Sequence, residues 1–91
     1  MQVTIDIPDY VEGEGIDVIW NEKCFLKVNK GCCESVIISG NESALRALGE
    51  QLIYLSQSQV ETGSHIHYDD FFCKDSDIGF IVEKIDKKDF I

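Results

Sequence analysis

The chain reads as an α+β protein: a single antiparallel β-sheet of meander type with one amphipathic α-helix packed on one face. Three observations lead there. Apolar and polar residues alternate over short stretches before Gly40 and again after Gly63, which is the period of half-buried strands. Between them the period lengthens, and Leu45, Leu48, Leu52 and Leu55 fall three or four apart, as on one face of a helix. Glycine and asparagine punctuate the changes of period, at Asn29-Lys30-Gly31, at Gly40-Asn41 and at Gly63, where turns and helix starts need them. A length of 91 residues with one proline suits a single domain, residues 1–91, around one core.

Taken in order, Val3, Ile5 and Ile7 alternate with polar residues and predict a first strand that Pro8 ends or places at an edge. Ile16 to Trp20 and Cys24 to Val28 read as two strands around Asn21-Glu22-Lys23. Asn29-Lys30-Gly31 supplies turn chemistry before a β-branched stretch from Cys33 to Ser39. Asn41 is a good N-cap, Glu42 favours the positive end of the helix dipole, and Ser39 with Glu42 offers an alternative capping box. The helix is expected from Asn41 to Gln57, with Leu45, Leu48, Leu52 and Leu55 facing the sheet. A strand follows at Gly63-Ser64-His65-Ile66-His67-Tyr68-Asp69, and a last one from Gly79 to Ile85. The order of strands, one helix, then strands suits four to six antiparallel strands under one helix.

Composition narrows the function. The formal charge of −9 arises from 17 acids against 8 bases, and no base precedes Lys23. The first quarter of the chain, with Glu12, Glu14 and Asp17, is a negative field that repels nucleic-acid phosphate and favours a basic partner. Apolar runs such as Val36-Ile37-Ile38 are far shorter than the roughly 20 residues of a membrane-spanning helix. The start of the chain lacks the basic and apolar regions of a signal peptide. A cytoplasmic protein without membrane or nucleic-acid partners is the expectation. Cys24, Cys32, Cys33 and Cys73 show no CxxC spacing, so reduced structural thiols are expected rather than disulfides or zinc.

Both histidines lie on one predicted strand, and alternation puts His65, His67 and Asp69 on one face and Ile66 and Tyr68 on the other. The polar row is either the wet face of a sheet or a metal site. Three donors from one strand cannot surround a tetrahedral ion without a further ligand, and the wet face is the simpler reading. No nucleophile elbow, phosphate-cradling glycine loop or catalytic triad is discernible, so no catalytic residue, enzyme activity or cofactor is expected. Among the aromatics, Phe71-Phe72 directly after Asp69-Asp70 is the best candidate for a partner contact, because two adjacent rings in a loop cannot both point inward.

Trp20, the strand ending in Ile37-Ile38-Ser39-Gly40-Asn41, the leucine-rich helix, the Gly-x-His-x-His-x-Asp strand and the terminal Phe80-Ile81-Val82-Glu83-Lys84 together resemble a family of small bacterial immunity proteins that accompany polymorphic toxins. The match in order runs over residues 16–85. The resemblance implies an α+β protein that protects its producer by binding and occluding a cognate toxin, with no cofactor. The family's motif carries over to Gly40, Asn41, Gly63, His65, His67 and Asp69, as architecture. The chain departs from the family after Asp70, at Phe71-Phe72-Cys73-Lys74, and divergent loops are where partner specificity sits. Partner contacts are accordingly expected at Glu12, Glu14, Asp17, Asp69, Asp70, Phe71 and Phe72, against a toxin with a basic surface. On the residues alone, a metal-binding module using His65, His67 and Asp69, and a non-catalytic structural or oligomer-forming protein, stay open.

Overall fold

The computed structural model describes residues 1–13, 20–69 and 75–90. Strands β1 (Leu26–Lys30) and β2 (Val36–Gly40) precede the helix α1 (Glu42–Leu55), and β3 (His65–Tyr68) and β4 (Phe80–Glu83) follow it, with a closing 3₁₀ turn at Lys87–Phe90. The α+β class, the one α-helix among the described residues and the antiparallel pairing are as the sequence predicts. The described strands fall into two two-stranded ladders, β1–β2 and β3–β4, where one continuous sheet was expected. The reason lies between residues 75 and 80. Val28 donates its N–H to Ser76 Oγ at 2.8 Å and accepts from the Asp77 N–H at 3.0 Å, so this segment begins along the free edge of β1. At Gly79 it crosses to β3, so close that a Cβ there would stand 2.7 Å from the Tyr68 carbonyl oxygen. One length of chain therefore serves first one ladder and then the other.

The β1–β2 hairpin turns later than the Asn29-Lys30-Gly31 signal predicts. Gly31 N–H bonds to Ser35 O at 2.8 Å and Ser35 N–H to Cys32 O at 3.2 Å, leaving Cys33 and Glu34 at the centre with φ of 58° and 63°. Two left-handed residues match the right-handed twist of the flanking strands. Cysteine and glutamate are poor residues for that conformation, which is why the turn was not legible. As a consequence β1 runs on to Lys30, two residues past Val28, and β2 begins three residues after Cys33; at its other end β1 begins at Leu26, two residues after Cys24.

Helix α1 starts as expected. Asn41 Oδ1 accepts the Ala44 N–H at 2.9 Å and Glu42 occupies the first turn. Its orientation corrects the leucine reading. Leu55 is buried at 4% exposure and Leu48 is half-buried, but Leu45 and Leu52 are 50% and 41% exposed. The buried row is Ala44, Gln51, Tyr54 and Leu55. Leu45 and Leu52 each follow a buried residue by one position, about 100° of helical rotation, and so lie on the helix flank. Ala44 and Leu55 pack with Leu26 and Val28 of β1 and Ile66 and Tyr68 of β3 in one core. The helix thus bridges both ladders.

Gln51 is the buried polar residue of the helix, and it accepts a hydrogen bond from the Tyr68 hydroxyl. Tyr68 is fully buried and stacks on Phe80 with ring centroids 4.5 Å apart. The N-terminal stretch is not a strand as Val3, Ile5 and Ile7 suggest. Gln57 holds it instead: its Oε1 accepts the Tyr10 N–H at 3.1 Å and its Nε2 donates to Pro8 O at 2.9 Å. One amide side chain thus replaces the strand partner, with Tyr10 edge-on to Tyr54.

Two measurements check this packing. In urea unfolding, Leu55→Ala is expected to cost about 2 to 5 kcal/mol and Leu45→Ala under about 1 kcal/mol; equal costs would contradict the helix orientation. Glu34→Gly relieves a left-handed non-glycine residue and is expected to raise stability by roughly 1 kcal/mol. A fall in the midpoint would contradict the turn.

Candidate functional site

The residues of the Gly-Asn and Gly-x-His-x-His-x-Asp motifs fall into two places. At the first, Gly40 ends β2 where a Cβ would meet Leu26 Cδ1 at 3.0 Å and Leu45 Cδ2 at 3.3 Å. Asn41 then does more than cap. Its Oδ1 also accepts the Phe25 N–H at 3.2 Å, its Nδ2 donates to Lys23 O at 2.7 Å, and its own N–H bonds to Phe25 O at 3.1 Å. The helix start is therefore fastened to the beginning of β1 by a single amide whose donor and acceptor are both used.

At the second place, Gly63 has φ +98° and donates its N–H to Lys84 O at 2.8 Å, extending the β3–β4 ladder into a turn that only glycine enters without strain. Alternation along β3 is as predicted: Ile66 and Tyr68 are buried, and His65, His67 and Asp69 are exposed. His65 stands opposite Glu83, and His67 opposite Ile81, so these four side chains share the outer face of the ladder. The imidazoles meet edge to face with centroids 4.8 Å apart, and His65 Nδ1 lies 3.0 Å from Gly63 O. Among the described residues no three or more His, Cys, Asp or Glu side chains are grouped so as to hold a metal ion. Cys24, Cys32 and Cys33 are free, and Cys73 lies outside the described residues.

Beside this face is an open hollow of about 400 Å³ lined by His67, Tyr68, Asp69, Gly79, Phe80 and Ile81. It is a shallow surface feature at the point where the chain leaves β3. Asp69 is on its rim and exposed. Asp70, Phe71 and Phe72 lie outside the described residues. Of the acidic candidates, Glu12 is exposed at the end of the N-terminal arm, whereas Glu14 and Asp17 lie outside the described residues. The arm also exposes Asp6 and Asp9, and the Gln57 clamp fixes it across the helix.

Sequence reasoning missed two features of this surface. Lys84 Nζ donates to Gln57 O at 2.6 Å and Val60 O at 2.7 Å, closing the loop between α1 and β3 from the end of β4; nothing in sequence spacing marks a lysine for that task. The other is the exposed apolar strip of β2, where Val36, Ile37 and Ile38 are all exposed. An apolar run without alternation was a usable signal, since such a strand is either covered on both faces or lies at an edge. No helix among the described residues is long and apolar enough to cross a membrane.

Comparison with known proteins gives one result. A family model described as immunity protein 32 matches residues 35–85, from the residue before β2 to the residues just after β4. Neither curated proteins nor solved structures show a match.

Two outcomes follow from the geometry. Asn41→Ala is expected to lose about 2 kcal/mol, the upper end for a helix cap, because Phe25 and Lys23 lose partners as well; a loss no larger than that of Ser43→Ala would contradict the fastening role. Protein purified without a histidine tag is expected to carry substoichiometric zinc, nickel and copper and to melt at the same temperature with chelator. A chelator-induced fall in melting temperature would favour the metal reading instead.

Proposed function

The chain belongs to the immunity protein 32 family, and on that premise we propose that it acts in the cytoplasm of a toxin-producing bacterium, where it binds the cognate toxin and neutralises it by occlusion. The observation that carries the reading is the family match across β2, the helix, β3 and β4. Neutralisation is stoichiometric binding and not turnover, and it needs no cofactor.

The charge distribution supports a partner with a basic surface. Asp6, Asp9 and Glu12 are exposed on an arm that the Gln57 clamp holds in place. This arm and the neighbouring Glu14 and Asp17 precede the family-matched region. A shared scaffold with an acidic segment outside it separates folding from partner choice. In this reading the acids steer the encounter, and the segment from Asp69 through Asp70, Phe71 and Phe72 supplies the buried contact.

The test is co-expression with the toxin domain encoded beside this gene. Growth is expected to be rescued and the two chains to co-purify in a fixed ratio; failure of both would overturn the reading. Reversing Glu12, Glu14 and Asp17 to lysine is expected to slow association several-fold at low salt and little at high salt. Phe72→Ala is expected to act on dissociation, by about 30-fold if the ring is an anchor. An effect of the charge reversals on dissociation alone would contradict steering.

A further inference from the structure

Among the described residues, the outer edge of β2 is a strand edge without a partner. The bonds flanking the hairpin, Asn41 N–H to Phe25 O and Gly31 N–H to Ser35 O, fix the phase of the ladder. Residues 37 and 39 exchange bonds with β1, while the main-chain groups of Val36, Ile38 and Gly40 point away from it. The same phase turns Val28 outward on β1, and Val28 does bond there to Ser76 and Asp77. Among the described residues, the outward groups of Val36, Ile38 and Gly40 meet no such partner. Natural edges are usually guarded by lysine, proline or a bulge. The sequence Val36-Ile37-Ile38-Ser39-Gly40 has no lysine and no proline, and its pairing with β1 is continuous.

We propose that two copies of this chain associate by antiparallel pairing of β2 with β2 about a two-fold axis at Ile38. The strand is self-complementary in that register. Ile38 opposes Ile38 of the second copy, and Val36 of each opposes Gly40 of the other. Every outward N–H and C=O of the three residues then finds a partner, about six bonds in all. The apolar surface there is of suitable size. Val36, Ile37, Ile38 and Leu45 are 54%, 52%, 44% and 50% exposed, and Leu45 lies beside Gly40 on the helix flank. With Leu52 this amounts to roughly 400 Å² on each copy, so about 800 Å² for the pair, the size of a weak, reversible association. Charge also places the contact here and not on the acidic arm. β2 carries no ionisable side chain, and its neighbour β1 contributes Lys27 and Lys30. A net charge of −9 on each copy still opposes approach, so salt should strengthen the dimer, opposite to its effect on a basic toxin. This pairing does not depend on the identity of the toxin.

Sedimentation of the free chain over a wide concentration range is expected to show a reversible dimer with a dissociation constant in the micromolar range or weaker. High salt should tighten it. Ile38→Lys places two ammonium groups at the axis and should weaken the dimer by tenfold or more. Ile53→Lys, half a turn of helix away from Ala44, should not. Cross-linking needs no intact dimer in the lysine variant. With Cys32, Cys33 and Cys73 replaced by serine, Ile38→Cys should oxidise to a covalent dimer much faster than Ile53→Cys, since paired residues across an antiparallel ladder lie about 5.5 Å apart between Cα atoms. A chain that stays monomeric at the highest concentration, a dimer indifferent to Ile38→Lys while that variant remains folded, or equal cross-linking at both positions would each overturn the proposal. A free monomer whose β2 amides become protected only with toxin would assign the edge to the toxin and overturn it as well.

Discussion

The arrangement of this small protein depends on the hydrogen bond between Tyr68 and Gln51 at the centre of the core. Ninety-one residues cannot cover a helix on all sides, and two separate two-stranded ladders are marginal units alone. Something must set how the helix lies across both. A buried phenol reaches a buried amide oxygen only in a narrow range of geometry, and among the described residues no buried side-chain nitrogen or oxygen lacks a partner. The aromatic ring supplies area against Phe80, and the hydroxyl fixes the rotation of the helix above it. Gln51 inward turns Leu52 outward, one residue further round.

That rotation explains what was legible in the sequence and what was not. The helix could be placed within two residues because Asn41 offers cap chemistry and the period of 3.6 changes abruptly there. The face of β3 was legible because His65, Ile66, His67 and Tyr68 alternate without exception. Four leucines at helical spacing, in contrast, specify a stripe and not its centre. A narrow cover buries only part of the stripe, and a glutamine at its middle gives no sign of being internal until its partner is known. The hairpin turn was hidden for a related reason: Cys33 and Glu34 adopt φ values that asparagine or glycine would advertise. The N-terminal arm was misread because a side chain, Gln57, replaces the backbone ladder that its alternation implies. Of the candidate site, the structural half of the motif, Gly40, Asn41 and Gly63, has its physical reason in the fold. Glu12 and Asp69 are exposed, while Glu14, Asp17, Asp70, Phe71 and Phe72 lie outside the described residues.

The fold distributes its tasks by surface. The Asn41 fastening, the Gln51–Tyr68 bond and the Lys84 closure each tie two elements that are distant in sequence, and all lie within or against the family-matched region. The stretch that precedes it carries acids from Asp6 to Glu22 with no base before Lys23, and the apolar edge of β2 lies elsewhere. A binder that works by occlusion benefits from this division. Residues that choose the partner can change without disturbing the bonds that hold the scaffold.

Amide hydrogen exchange on the chain with and without its toxin domain tests the central claim most directly, because occlusion is a statement about which surface becomes covered. The account predicts toxin-dependent protection in the N-terminal arm through Asp17 and in the segment beginning at Asp69, with the already protected β3–β4 ladder unchanged. No toxin-dependent protection at those segments, with the toxin active in the same mixture, would contradict it.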